Sequence, residues 1–106
     1  MLHPGDFILA STVEKFKMPS AVIGFVHDKS TWARLGIAVQ NTVIEPGWEG
    51  YLTLEITNHS RDRVTILRGS GIAQVIFQFL DLPSEKPYDG KYQDQARGPV
   101  AAIHEE

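Results

Sequence analysis

The sequence predicts an all-β domain, and two observations support this prediction. Glycine, proline and asparagine divide the first 80 residues into runs that are too short for helices and rich in valine, isoleucine, threonine and aromatic residues. In "YLTLEITN", aliphatic side chains share one face, and Glu55 lies among the polar side chains on the other. The predicted strands are 6–12, 21–27, 37–40, 51–58, 64–67 and 72–79.

One short helix is expected over residues 30–35, inside the segment "STWARLG". Ser30 can cap its N-terminus, "ARL" contains good helix formers, and Gly36 suits the position after its end. The segments "EPGWEG" and "LRGSG" predict tight turns, because proline presets one dihedral angle and glycine permits positive φ.

Composition limits the classes of function. The chain has 106 residues, enough for one domain, and a formal net charge of −3, which provides no broad basic field for a nucleic-acid polymer or an anionic membrane. It contains no cysteine, so thiolate zinc sites and cysteine nucleophiles are excluded, and its four histidines lack metal-ligand spacing. No apolar stretch is long enough to span a membrane. We expect a soluble, cytoplasmic protein without a protein-held metal.

The composition changes after Leu82, where the chain becomes polar and is interrupted by proline and glycine. We therefore expect a β domain at residues 1–82, followed by a polar C-terminal arm at residues 83–106. The arm is expected either to close over a ligand site or to be frayed.

The segment "HDKSTWARLG" concentrates hydrogen-bond donors between two predicted strands. Lys29, Ser30, Thr31 and Arg34 lie on or beside the predicted helix, and its free backbone N–H groups together with a cation suit a phosphate. The alternative is a serine-capped surface turn with solvated charges.

Glu55 is unusual because carboxylates are depleted from strand interiors and are costly to bury without a partner. It is either a general base held at the floor of a pocket or a strand glutamate that faces solvent or pairs with an arginine. An anionic ligand could also be surrounded by side chains of the arm, although disordered tails have the same composition: Tyr88, Lys91, Tyr92, Gln95 and Arg97.

Five motifs occur in an order that matches a known family: "LHPGDFILAST", "DKSTWARLG", "IEPGWEGYLTLEITN", "RGSGIAQVIF" and "PYDGKYQDQ". The chain resembles the trimeric dUTPase and dCTP deaminase superfamily, and "TLEITN" with "GKYQDQ" resembles its dCTP deaminase branch. The dUTPases carry a glycine-rich tail that is absent here. The resemblance implies a short member without the family's usual N-terminal segment, and a hairpin, "GIAVQNTVIEPGW", shorter than usual.

The resemblance implies a distorted β-barrel or jelly roll of the dUTPase-like (β-clip) type that forms homotrimers with shared active sites. The implied reaction is hydrolytic deamination of dCTP to dUTP without zinc. Mg²⁺ is expected only on the triphosphate, and dTTP is a possible feedback ligand.

The same resemblance assigns roles to individual residues. Glu55 would activate the water that attacks cytosine, and Ser30 and Arg34 would help orient that water and the glutamate. The residues expected to bind substrate are Lys29, Thr31, Thr42, Glu45, Gln74, Tyr88, Lys91 and Gln95.

Three functions remain open from the sequence. The first is dCTP deamination, and the second is dUTP diphosphatase activity or a bifunctional, dUMP-forming deaminase. The third is a catalytically inactive nucleotide-binding or interaction protein on the same trimeric scaffold.

Overall fold

The computed structural model describes residues 1–83 and 89–103, and its regular structure is almost entirely β. Two antiparallel sheets of three strands have the orders β1-β5-β3 and β4-β2-β6. The all-β prediction is confirmed. The elements are β1 (Phe7–Lys17), β2 (Val22–Asp28), α1 (Ser30–Arg34), β3 (Ile37–Val39), β4 (Val43–Ile44), β5 (Glu49–Asn58) and β6 (Ala73–Phe79).

Five of the six predicted strands correspond to observed strands, and the prediction at residues 64–67 is wrong. There, only Val64 pairs, in an isolated bridge to Leu2 with N···O distances of 2.8 and 2.9 Å. Val64 and Ile66 pack into the core, which does not require a continuous ladder, while Leu67 is exposed. Strand β4 was not predicted, because two residues are too few to show alternation.

Helix α1 forms at the predicted place, but Ser30 is its first helical residue and does not cap it. Lys29 is the N-cap residue, with extended backbone angles and no capping bond from its side chain. Its carbonyl accepts hydrogen bonds from the N–H groups of Trp32 and Ala33 at 3.1 and 2.9 Å. The Trp32 indole N–H donates to the Gly71 carbonyl at 3.0 Å and ties the helix to the chain before β6. With five residues, α1 is far too short to cross a bilayer, and the part of the chain that the structure describes has no other candidate.

The core consists of two apolar clusters. Val26 of β2 and Leu52 of β5 pack against both, so the two sheets bury their inner faces against one another. The predicted alternation of β5 is confirmed, since Leu54 and Ile56 are buried and Glu55 lies on the opposite face. The clusters contain Leu2, Ile37, Val39, Leu54, Ile56, Val64 and Ile72, and Met18, Val22, Ile44 and Trp48.

Asn58, the last residue of β5, is completely buried and polar. Its Nδ2 donates to the carbonyls of Leu2 and Asp62 at 3.2 and 2.9 Å, and its Oδ1 accepts from the Ser60 N–H at 2.9 Å and the Ser60 hydroxyl at 2.7 Å. The side chain therefore joins the N-terminus to the turn after β5 inside the core.

Replacing Asn58 with alanine should destabilise the protein, because buried carbonyl and N–H partners would lose their hydrogen bonds. We expect Asn58→Ala to lower the free energy of unfolding by roughly 2 to 4 kcal/mol. Urea denaturation followed by circular dichroism measures this change. The neighbouring exposed residue provides the control: His59→Ala should change stability by less than about 0.5 kcal/mol. Equal effects of the two changes would contradict the prediction.

Candidate active site

A cavity of about 830 Å³ lies between β5, the loop of residues 40–48, which contains the two-residue strand β4, and the C-terminal arm, of which residues 89–103 are described. Five of the residues predicted to form the site line this cavity. The strand contributes Glu55, the loop contributes Thr42 and Glu45, and the arm contributes Lys91 and Gln95. Chain folding thus brings the predicted general base together with two groups of predicted substrate-binding residues.

Glu55 projects toward the cavity because it occupies the face of β5 opposite Leu54 and Ile56. Its side chain is partly buried, and desolvation raises the pKa of its carboxyl above the ordinary value of 4.5. A raised pKa makes the carboxylate a better proton acceptor near neutral pH. The arrangement therefore fits a general base.

The loop before β5 is held by a turn and by one asparagine. In "EPGW", the Trp48 N–H donates to the Glu45 carbonyl at 3.1 Å, and Gly47 has φ +85°, as a type II turn requires. The turn prediction is confirmed, and it places Glu45 at the cavity. Asn41 accepts from the Glu55 N–H at 2.9 Å and donates to the Thr53 carbonyl at 2.8 Å.

The arm is bound to the start of β5 by glutamine side chains. The Gln93 carboxamide accepts from the Glu49 N–H at 2.7 Å and donates to the Gly47 carbonyl at 3.0 Å. Gln95 Nε2 donates to the Tyr51 carbonyl at 2.9 Å and the Thr53 hydroxyl at 2.8 Å. These bonds fix where the arm borders the cavity.

The contact between arm and strand requires a glycine in β5. A Cβ atom at Gly50 would lie 2.6 Å from the Gln95 nitrogen and 2.8 Å from its carbonyl oxygen. The φ of Gly50 is +145°, which other residues rarely adopt. Next to this contact, the Trp48 indole N–H donates to the Tyr92 carbonyl at 2.6 Å.

Lys91 contributes a basic side chain to the lining of the cavity. Its Nζ donates to the Ile103 carbonyl at 2.7 Å and lies 5.6 Å from the centre of the Tyr92 ring. The hydroxyl of Tyr92 accepts from the Ile103 N–H at 3.0 Å. The end of the described arm thus turns back over the lysine and places a cation beside the cavity.

The other predicted site residues lie elsewhere on the chain. Lys29, Ser30, Thr31 and Arg34 are exposed on or beside α1 and are absent from the cavity lining. Gln74, on β6, donates from Nε2 to the Asp28 carbonyl at 2.9 Å. Tyr88 lies outside the described residues. The roles assigned to these residues stay predictions.

Sequence reasoning missed the residues that hold the site together. Asn41, Thr53 and Gln93 make bonds to partners that are distant in sequence. Only Asn41 gave a local signal, as a carboxamide directly after the predicted strand at residues 37–40. Thr53 appeared only as a polar member of the alternating pattern.

Within residues 1–83 and 89–103, no three or more histidine, cysteine, aspartate or glutamate side chains are grouped to hold a metal ion. The acidic residues that line the cavity are Glu45 and Glu55. Magnesium usually keeps several waters and needs only one or two carboxylates together with substrate phosphates. The residues present are therefore compatible with a Mg²⁺ ion that is held mainly by phosphate.

The fold is of the dUTPase-like class. The native dUTPase of EIAV aligns with a TM-score of 0.68 over 85% of this chain and 75% of that chain, at 24% sequence identity. This similarity confirms the predicted fold class. A family model described as dCTP deaminase-like matches residues 1–80. The chain belongs to the dCTP deaminase-like family.

Curated relatives support the same family. A protein of Methanosphaera stadtmanae named "dCTP deaminase, dUMP-forming" is 39% identical over 113 residues, covering 100% of this chain and 57% of the relative. One of the same name from Corynebacterium glutamicum strain R is 41% identical, covering 94% and 56%. A "dCTP deaminase" of Campylobacter fetus is 48% identical, covering 90% and 53%. The chain thus spans about half the length of these relatives.

The raised pKa of Glu55 should make stability depend on pH. Below the ordinary value of 4.5 the carboxyl is protonated in both the folded and the unfolded state, so burial carries no charge penalty. As pH rises through the higher folded-state pKa, only the folded state pays for ionisation, and stability falls. Glu55→Gln removes this dependence.

Urea titrations of both proteins between about pH 4 and pH 8 measure this effect. The unfolding free energy of the wild type, relative to Glu55→Gln, should decrease with rising pH and then level off. A relative stability that increases with pH would mean that the folded state favours the carboxylate.

Proposed function

We propose that this protein hydrolyses dCTP to dUTP and ammonia, with Glu55 as the general base. The observation that carries the proposal is a partly buried carboxyl of raised pKa facing a cavity of about 830 Å³, in a chain of the dCTP deaminase-like family. The names of the Methanosphaera and Campylobacter relatives support the choice of dCTP.

The proposed reaction needs one water and one base. Glu55 takes a proton from water, and the resulting hydroxide adds to C4 of cytosine to give a tetrahedral centre. That proton passes to N3 of the ring. The proton of the added hydroxyl then passes through Glu55 to the exocyclic amine, the C4–N bond breaks, ammonia leaves and the C4 carbonyl forms. Ser30 and Arg34 are proposed to orient the water and the glutamate, and donors of this kind stabilise charge that develops at the tetrahedral centre.

Substrate binding is proposed to divide between two sides of the cavity. Thr42 and Glu45 belong to the loop proposed to face the pyrimidine, and Lys91 and Gln95 belong to the arm proposed to cover the phosphates, together with Tyr88. We propose that residues 1–82 are the β domain and residues 83–106 this covering arm. Mg²⁺ would enter on the triphosphate, and dTTP, which shares the deoxyribose and triphosphate, would compete for the same place.

We propose that a second chain completes the site in a homotrimer. Lys29, Thr31 and Gln74 do not line the cavity of their own chain, so their proposed roles in binding substrate require a neighbour. Strand β6 provides an apolar surface for association: Phe77 and Phe79 are 53% and 82% exposed. Large side chains exposed together on one strand are typical of an interface.

A second candidate function is favoured by the names of two relatives. The Methanosphaera and Corynebacterium proteins are both called dUMP-forming. In this case the deamination product would also lose pyrophosphate by hydrolysis, which gives dUMP. The reaction products decide between the two candidates.

The proposed role of Glu55 predicts the activity of one variant. Purified protein with dCTP and Mg²⁺ should release ammonia and form dUTP, and Glu55→Gln should lower the rate by at least about 100-fold, because general-base catalysis typically contributes that much. Chromatography of dCTP, dUTP and dUMP measures this. Nucleotide affinity should remain within a few-fold.

The control is Glu14→Gln, which changes an exposed glutamate of β1 and should keep full activity. Formation of dUMP and pyrophosphate would favour the second candidate. Nucleotide binding without any product would favour an inactive nucleotide-binding protein and would contradict both enzymatic functions.

The proposed trimer predicts the mass in solution. Light scattering should give three times the chain mass of 11.8 kDa. Phe79→Asp should shift the protein toward monomer, because a charge would be buried in an apolar interface. Leu82→Asp, at an exposed residue beyond the end of β6, is the control and should preserve the trimer. A monomeric wild type at micromolar concentration would contradict the proposal.

A further inference from the structure

Strand β3 pairs with β5 only as far as Ile56, which is next to Glu55. Strand β3 pairs through Ile37↔Asn58, Ala38↔Thr57 and Val39↔Ile56, and it ends there. Glu55 lies immediately beyond the last pair. Its N–H and the carbonyl of Thr53 are therefore without a backbone partner from β3, in a partly buried strand where missing hydrogen bonds are costly.

The side chain of Asn41 takes the place of the missing strand. Its Oδ1 accepts the Glu55 N–H at 2.9 Å, and its Nδ2 donates to the Thr53 carbonyl at 2.8 Å. One residue earlier, the backbone N–H of Gln40 donates to the Glu55 carbonyl at 2.8 Å. A carboxamide has the same donor and acceptor as a peptide group, so it can continue the ladder after the chain has turned away.

Asn41 also lies inside the candidate site. It is partly buried, it lines the same cavity as Glu55, and it directly precedes Thr42 in the loop proposed to face the pyrimidine. Its two hydrogen bonds therefore fix the position of this loop relative to the peptide that carries the general base.

Thr53 extends this connection to the arm. Its carbonyl binds Asn41, while its hydroxyl accepts from Gln95 Nε2 at 2.8 Å and from the Val100 N–H at 3.0 Å. The segment Thr53 to Glu55 is thus held by the loop through its backbone and by the arm through a side chain. Loss of the Asn41 bonds would leave this segment attached to the arm, and to the loop only through the bond from the Gln40 N–H to the Glu55 carbonyl.

We propose that Asn41 is a positioning residue for Glu55: its carboxamide holds the Glu55 peptide and the loop bearing Thr42 in fixed relation. The consequence of this role for the reaction rests on the proposed deaminase function. The effect of Asn41 on the Glu55 amide and carboxyl does not depend on that function. Asn41 is assigned no contact with the reacting atoms.

Two variants and one matched control test this role. Asn41→Ala removes both hydrogen bonds. Asn41→Asp keeps an acceptor for the Glu55 N–H but replaces the donor to Thr53 with a charged oxygen. The control, Gln40→Ala, changes the preceding residue of the same loop, whose side chain bonds to the Thr57 hydroxyl on β5.

The first readout is independent of activity. NMR should show hydrogen exchange at the Glu55 amide about tenfold faster in Asn41→Ala than in the wild type, as expected for the loss of one hydrogen bond. A carbon-13 titration should show a lower Glu55 pKa in Asn41→Ala, because water enters, and a higher one in Asn41→Asp, because a like charge is added. Gln40→Ala should change neither.

The second readout is kinetic. For dCTP, Asn41→Ala should lower kcat by about 10- to 100-fold with a smaller change in KM, as expected when a catalytic group is displaced without loss of binding contacts. Gln40→Ala should keep the kcat of the wild type.

The two readouts separate the two proposals. An unchanged exchange rate and pKa of Glu55 in Asn41→Ala would overturn the positioning role, whatever the activity. If Asn41→Ala does not fold, the pKa in Asn41→Asp decides, and the absence of an upward shift would overturn the role. A wild type without turnover would defeat the proposed function, while the exchange and pKa measurements would still test the role of Asn41.

Discussion

One edge of β5 must be hydrogen-bonded along its whole length, although strand β3 covers only its end. From Glu55 back to the start of β5, the N–H and carbonyl groups of every second residue point to the edge that β3 leaves uncovered. Asn41 binds the Glu55 N–H and the Thr53 carbonyl, and the Gln40 N–H donates to the Glu55 carbonyl. Gln95 binds the backbone groups of Tyr51, and Gln93 and Asp94 bind those of Glu49. The cavity exists because loop and arm approach the same edge from different directions and leave a space between their attachments.

This arrangement explains why the carboxyl of Glu55 is only partly buried. A continuous neighbouring strand would place side chains beside it and close the space in front of it. Here the edge is bound by the carboxamides of Asn41, Gln93 and Gln95 together with single backbone groups of the loop and the arm, which occupy little room above the sheet. The strand keeps its hydrogen bonds while its polar face borders the cavity, and partial burial raises the pKa of the Glu55 carboxyl.

Local patterns in the sequence predicted the features that depend on neighbours in the chain. Alternation gave β5 and the outward direction of Glu55, and proline and glycine gave the turn at Trp48. The prediction at Ser30 was wrong because the helix begins one residue earlier than expected, with Lys29 as its N-cap. The prediction at residues 64–67 was wrong because strand pairing depends on where a distant partner lies. The role of Gln93 was invisible for the same reason: its partners are 44 and 46 residues away. Arg34 does not line the cavity that Glu55 faces. In the proposed trimer, whether the two residues share a site is set by contacts between chains, which no pattern within one chain encodes.

The carboxamide attachments make the shape of the cavity unusually dependent on residue identity. A backbone ladder tolerates almost any side chain, so a strand-bounded pocket keeps its walls while its sequence drifts. Along this edge of β5, a single base change in a codon for Asn41 or Gln93 can remove a side-chain attachment between two segments, whereas Gln95 is also attached through its backbone. The polar frame of this site is therefore inherited residue by residue, and a chain that lengthened β3 by two residues would be free to lose Asn41.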